Sequence, residues 1–110
     1  MPAPLVYSDL AADPDLGELV EMFVDEMPQR INLLETHARS RDWPQLTRTA
    51  HQLKGSAGSY GFHAITPCAA RVESAAKSGC PEQEILAVLD ELLDLCRRVC
   101  SGVPSAGSPY

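Results

Sequence analysis

His51 and Lys54 stand three residues apart in the run Ala50-His51-Gln52-Leu53-Lys54-Gly55-Ser56-Ala57-Gly58-Ser59-Tyr60-Gly61, where glycine recurs at every third position from Gly55 to Gly61. An imidazole is a nucleophile at neutral pH, and an ammonium one helical turn along neutralises anionic phosphoryl oxygens as a flexible point charge. In a helix, Thr47, His51, Lys54, Gly55 and Gly58 share one face, turned away from the apolar seam Leu46, Ala50, Leu53, Ala57 and Tyr60. Each glycine costs about 1 kcal/mol relative to alanine inside a helix, so something must offset it. Bare backbone beside an imidazole removes the steric shield that a normal helix erects. The chemistry this suggests is transfer of a group between His51 and a pocket on another protein.

Other uses of these residues fit less well. A nucleotide P-loop places its lysine after the glycines and a dinucleotide fingerprint reads G-x-G-x-x-G, whereas here the lysine comes first and the glycines read G-x-x-G-x-x-G. His37 and His63 lack any comparable setting and read as structural or surface residues. Cys68, Cys80, Cys96 and Cys100 form no C-x-x-C pair and lie among apolar or small residues, so buried reduced thiols are expected. A zinc site would need four convergent ligands, of which Cys96 and Cys100 at i, i+4 supply two, and no metal site is expected.

The elements that must position His51 are helical. The first helix is expected from Asp13 to His37, with Leu16, Leu19, Val20, Phe23, Val24, Met27, Ile31, Leu34 and Ala38 at three-and-four spacing and Pro28 interrupting it. Asp42-Trp43-Pro44-Gln45 offers a capping carboxylate, a proline in the tolerated first turn and a glutamine three residues on, which starts the second helix; Gly61 closes it. The third carries Ile65, Ala69, Val72, Ala75 and Ala76 inward and ends at Ser78-Gly79. Pro67 leaves two starts open, with Thr66 capping a helix that begins at Pro67 or a first turn that begins earlier. The fourth opens at Pro81-Glu82-Gln83-Glu84, buries Ile85, Val88, Leu89, Leu92, Leu95, Cys96 and Val99, and is stopped by Gly102 and Pro104.

No strand alternation is evident, and the pattern predicts an all-α, antiparallel four-helix bundle over residues 13–102. A short N-terminal segment, 1–12, precedes it, and a tail, 103–110, has nothing to bury and is expected to be disordered. With 110 residues and 45% hydrophobic composition the chain suits one domain. A net charge of −6 and the absence of a basic block argue against nucleic acid as a partner. No membrane span or secretory leader is visible, so a cytoplasmic protein is expected. Residues 1–29 hold seven acids and no base, which reads more simply as a solvated helix face than as a docking surface for a basic partner. Phe23, Trp43, Tyr60 and Phe62 are expected in the core or at its rim.

The run from His51 to Phe62 closely resembles the phosphoacceptor segment of histidine-containing phosphotransfer (HPt) domains, of the form H-x-L-K-G-x-A-x-x-x-G. The flanks Arg41-Asp42-Trp43-Pro44-Gln45-Leu46 and Ala69-Ala70-Arg71-Val72-Glu73-Ser74-Ala75-Ala76 also look like that family, so the likeness extends over residues 16–100. It implies a phosphorelay intermediate in two-component signalling, in which His51 accepts a phosphoryl group, Lys54 neutralises its charge, and a receiver-domain aspartate gives or takes it. Receiver docking is then expected at Thr47, Gln52, Gly55, Gly58 and Phe62. The partners implied are response-regulator receivers and a sensor or hybrid histidine kinase, with Mg2+ carried by the receiver and no cofactor on this chain, which is expected to be monomeric. Some family members use a glutamate at the separation of Glu73 from His51 to hold the ring; Glu73 paired with Lys77 at i, i+4 is the other reading.

Two alternatives remain beside the relay. A kinase needs a nucleotide-binding domain that this length excludes, and a kinase dimerisation region presents its histidine on a two-helix hairpin; the chain is therefore not expected to be an enzyme. A non-catalytic HPt-like module that docks and sequesters a response regulator would have no need of His51 and Lys54 in register.

Overall fold

Four helices make up the computed structural model, which describes residues 4–101: α1 (Gly17–Arg39), α2 (Trp43–Ser59), α3 (Ile65–Lys77) and α4 (Glu82–Arg97). Each packs on the next and α4 returns to α1, while the short turns 40–42, 60–64 and 78–81 make neighbours antiparallel. The expected all-α bundle is the fold observed.

The buried set follows the apolar periodicity of each helix. Val20, Phe23, Met27 and Leu34 of α1, Leu46, Ala50, Leu53 and Ala57 of α2, Ile65, Ala69 and Val72 of α3, and Ile85, Leu89, Leu92 and Cys96 of α4 form one core. The two helices that pack most extensively, α2 and α3, bury small side chains, Ala50 and Ala57 on one and Ala69 and Ala76 on the other. Small residues bring two helix axes together, and the functional side chains depend on that proximity.

Several boundaries differ from the sequence expectation. Asp13 does not begin α1; its Oδ1 accepts from the Asp15 and Leu16 amides at 2.7 and 3.3 Å, making a turn before the helix proper. Leu19 lies on α1 but faces solvent. Asp42 caps α2 as expected, accepting from the Gln45 amide at 3.3 Å. Of the two starts open for α3, the earlier is observed: Pro67 falls in the first turn, where its missing N–H is of no consequence. The inward face of α4 includes Leu93, which the sequence reading omitted, whereas Val88 and Leu95 are half-buried.

The expectation of no strands requires correction. Val6–Tyr7 (β1) and Val99–Cys100 (β2) pair in parallel, so α4 stops at Arg97, ahead of Gly102 and Pro104. Tertiary pairing by two β-branched valines overrides the helical period there: the Val6 amide donates to the Arg98 carbonyl at 2.7 Å, and the Arg98 guanidinium donates to the Pro4 carbonyl at 3.0 Å. The N-terminal segment continues to the turn after α2, where Ser8 Oγ donates to the Tyr60 carbonyl and the Asp9 amide to the Gly61 carbonyl. The tail 103–110, read as disordered, lies outside the described residues.

All four cysteines are free, but only Cys68 and Cys96 are buried; Cys80, in the turn between α3 and α4, and Cys100, in β2, are half-buried. Burial pushes the Cys96 thiol up to about 12, which keeps it protonated. Among the described residues no group of three or more His, Cys, Asp or Glu side chains is placed to hold a metal ion, and no helix is long and apolar enough to cross a membrane.

Candidate functional site

His51 leaves the outward face of α2 with 64% of its side chain exposed, opposite the buried Ala50 and Leu53. Its Nδ1 lies 2.7 Å from Glu73 Oε2, across the narrow α2–α3 interface. The other oxygen of the same carboxylate, Oε1, accepts from Lys54 Nζ at 2.7 Å. Glu73 thus bridges the two residues singled out from the sequence, and both its oxygens are used. The Glu73 carboxylate therefore lies against His51 and Lys54 and makes no hydrogen bond to Lys77, which lines the groove between α2 and α3 with Trp43 and Thr47.

The bridge sets the tautomer. A hydrogen bond from Lys54, with the His51 bond and both nearby charges adding to it, lowers the Glu73 carboxyl below its ordinary value against a smaller opposing effect of burial. An ionised carboxylate only accepts, so Nδ1 carries the hydrogen and donates it. In the neutral ring the free lone pair is then on Nε2, the nitrogen that Glu73 does not hold. A neutral imidazole with one nitrogen free and the other fixed is equipped for nucleophilic attack.

The surroundings of His51 are open on both sides. A shallow groove of about 460 Å³ runs past His51, Gln52, Gly55, Ser56, Ser59 and Tyr60. A Cβ built on Gly55 meets nothing within 4 Å, so no internal contact explains the glycine, and the surface beside the ring is bare backbone. Gly58 is different: a Cβ there would sit 3.5 Å from Thr66 Oγ1, which itself donates to the Lys54 carbonyl at 3.3 Å. Thr66 therefore pins α3 to the backbone of the lysine turn, a role the sequence reading missed by weighing this residue only as a cap. Gly61, at φ +81°, is needed for the turn, and a Cβ on it would fall 2.6 Å from Ser8 Oγ.

Not every expected docking residue is on this surface. Thr47 is half-buried, its hydroxyl donating to the Trp43 carbonyl at 2.8 Å, and it lines the groove on the α3 side with Trp43, Glu73 and Lys77. Gln52 and Gly55 are exposed beside His51, and Gly58 is half-buried. Phe62 is a correction: it is fully buried and stacked on Phe23 with ring centroids 5.2 Å apart, because the chain turns inward immediately after Gly61. It is a core residue of the bundle. Tyr60, half-buried over the same Phe23 ring at 5.3 Å, is the aromatic that reaches the groove. His63 is exposed and lies 3.3 Å from the Asp9 carboxylate, and His37 is half-buried on α1.

Residues 18–100 match the family model of the Hpt domain, and the chain belongs to that histidine-containing phosphotransfer family. Comparison with curated proteins and with solved structures gives no match. Membership implies histidine phosphotransfer in phosphorelay signalling through contact with receiver and kinase domains, and Hpt domains are phosphotransfer modules, not kinases.

Proposed function

We propose that this chain is a phosphorelay intermediate whose His51 Nε2 takes a phosphoryl group from an aspartyl phosphate on a receiver, or returns it to a receiver aspartate. The observation that carries this reading is the Glu73 carboxylate, 2.7 Å from both His51 Nδ1 and Lys54 Nζ beneath an exposed ring. In the forward step the Nε2 lone pair forms the N–P bond as the P–O bond to the aspartate breaks, and the aspartate leaves as a carboxylate. No proton has to move. The ring keeps its Nδ1 hydrogen and becomes cationic, and the Glu73 carboxylate faces that developing charge.

Lys54 has a second use in this scheme. Its ammonium, half-exposed beside the ring, can turn from Glu73 toward the incoming phosphoryl oxygens without leaving the site. Phosphoryl transfer asks mainly for in-line placement and charge neutralisation, which explains why so few groups suffice. Mg2+ and the acidic pocket come with the receiver. Under this reading the chain works in the cytoplasm as a monomer, between a sensor or hybrid kinase and a response regulator.

The test is incubation with receivers charged by acetyl phosphate, followed by mapping of acid-labile label on wild type and His51→Gln. Label on His51 in the wild type and none in the variant is expected. A receiver that binds tightly but never labels His51 would replace the relay with sequestration.

A further inference from the structure

Among the described residues three side-chain hydrogen bonds join α2 to α3, and all of them end on His51 or Lys54. Two belong to the Glu73 carboxylate, at 2.7 Å from His51 Nδ1 and 2.7 Å from Lys54 Nζ. The third is made by Thr66, whose Oγ1 donates to the Lys54 carbonyl at 3.3 Å. The three differ in stiffness. Glutamate and lysine reach across on several rotatable bonds, so the carboxylate can follow either partner if the helices slide. Thr66 has one such bond, restricted by branching at Cβ, and it meets backbone on the other side.

Two local features keep this contact in place. Thr66 lies half-buried in the first turn of α3, where Pro67 follows it and limits its backbone, and its hydroxyl bonds to α2 instead of closing on its own helix. Gly58 stands one turn after Lys54, and a Cβ there would lie 3.5 Å from Thr66 Oγ1, so the hydroxyl reaches the Lys54 carbonyl past a residue with no side chain. Gly58 thereby has an internal use that Gly55, with nothing within 4 Å, lacks. Thr66 and Glu73 are seven residues apart on one face of α3, which puts the tie about 10 Å along the helix from the carboxylate.

Register matters because that carboxylate is shared. His51 and Lys54 are separated by about 4.5 Å along the axis of α2, and Glu73 holds one oxygen against each. Sliding α3 by one residue's rise, about 1.5 Å, brings Glu73 toward one partner and carries it away from the other. Lys54 wins that competition, since an ammonium makes the stronger, charge-assisted bond to a carboxylate than a neutral ring does. We infer that Thr66 is a positioning residue for phosphoryl transfer: its bond to the Lys54 carbonyl fixes the register of α3 on α2 and so keeps Glu73 on His51 Nδ1 instead of releasing it to Lys54 alone. The inference rests on the relay reading and adds to it a residue that touches neither the phosphoryl group nor the reacting nitrogen. Small buried side chains set how far apart the two helices stand; Thr66 sets where along the axis they meet.

The test compares, in the full chain, Thr66→Val, which keeps the shape and removes the hydroxyl, with Thr66→Ser, which keeps the hydroxyl and removes the methyl. Imidazole proton–nitrogen NMR at mildly alkaline pH reads the His51 tautomer with no receiver present. Single-turnover transfer from acetyl-phosphate-charged receivers, over a series of receiver concentrations, reads the rate. In Thr66→Val the form with hydrogen on Nδ1 should lose ground to the form with hydrogen on Nε2. Saturated transfer should fall by about twofold to tenfold, the span of one neutral hydrogen bond, at an unchanged half-saturating receiver concentration. Thr66→Ser should restore both. Thr66→Ala, with the best helix former at that position, guards against misfolding of the valine variant and should match it. A wild-type tautomer in the valine and alanine variants overturns the inference. A serine variant as altered as the valine one also overturns it, by assigning the effect to methyl packing, and so does a change confined to the half-saturating concentration, which would make Thr66 a docking residue. Absence of label on wild-type His51 with every receiver overturns the relay itself, and the tautomer still decides the role of Thr66.

Discussion

Gly55 offers a test in which stability and function should move in opposite directions. It lies inside α2, and a Cβ built there meets no atom within 4 Å. Alanine therefore gains the full helix-propensity difference, about 1 kcal/mol, and loses nothing to crowding. For a domain of this size that corresponds to a melting temperature higher by about 4 °C or more. The same methyl stands where a receiver must approach the His51 ring, and an extra carbon in a close-packed interface costs about 1–3 kcal/mol. Transfer from a charged receiver should fall correspondingly, by about fivefold to a hundredfold. Gly55→Gln, with a propensity near that of alanine and a longer side chain, should keep most of the stability gain and transfer still more slowly. Thermal melts by circular dichroism and single-turnover transfer on the same samples give both numbers. Loss of stability in Gly55→Ala would refute the open-space argument, and wild-type transfer in Gly55→Gln would refute the claim that bare backbone serves a partner.

Gly61→Ala should do the reverse to stability, losing about 1–3 kcal/mol in chemical denaturation, because φ is +81° and the new Cβ would meet Ser8 Oγ and the Leu10 backbone. Phe62→Ala should cost about 3–5 kcal/mol and, at temperatures where the variant is folded, leave receiver affinity unchanged; weakened affinity in the folded variant would return Phe62 to the docking surface. Glu73→Gln should slow phosphorylation of His51 while the fold survives, since the amide, a donor as well as an acceptor, no longer excludes the other tautomer and carries no charge to oppose the ring's positive one; an unchanged rate would reduce Glu73 to a surface pair. Because the folded Glu73 value lies below its ordinary 4.5, the stabilisation from the bridge is complete above that pH and disappears as pH falls through the lowered value. Carboxyl NMR should give a midpoint below 4.5, and Lys54→Met, which removes the largest cause, should raise it.

Much of this architecture was legible because it depends on local signals. The Asp42 cap, the α2 seam and the outward face bearing His51, Lys54 and Gly55 follow from three-and-four spacing and a capping carboxylate, both written within a few residues. What the sequence left open required knowing which surfaces meet. Whether Glu73 turns to Lys77 on its own helix or to His51 on the neighbouring one is decided by how closely α2 and α3 approach. The family resemblance puts Phe62 on the docking surface, but the positive φ of Gly61 turns the chain inward and buries the ring. The strand pair was missed for a similar reason: Val99 continues the helical period of α4, and only Val6, far away in the chain, draws it into a strand.

The α2–α3 interface also explains how a helix with two interior glycines can carry the reactive histidine. Gly55 and Gly58 together give up about 2 kcal/mol of helix propensity, and burial of the opposite face must offset it. Leu46 and Leu53 supply bulk toward the core, while Ala50 and Ala57 of α2 and Ala69 and Ala76 of α3 are buried small residues on the two helices that pack most extensively. Larger residues at those alanines would preserve hydrophobic burial but move α3 outward. Glu73 could not then span two hydrogen bonds of 2.7 Å to different residues of α2. The alanines therefore do more than fill a core: their small size sets the helix separation at which one carboxylate reaches both the ring and the lysine, so packing on the buried face fixes the tautomer of the histidine on the exposed one.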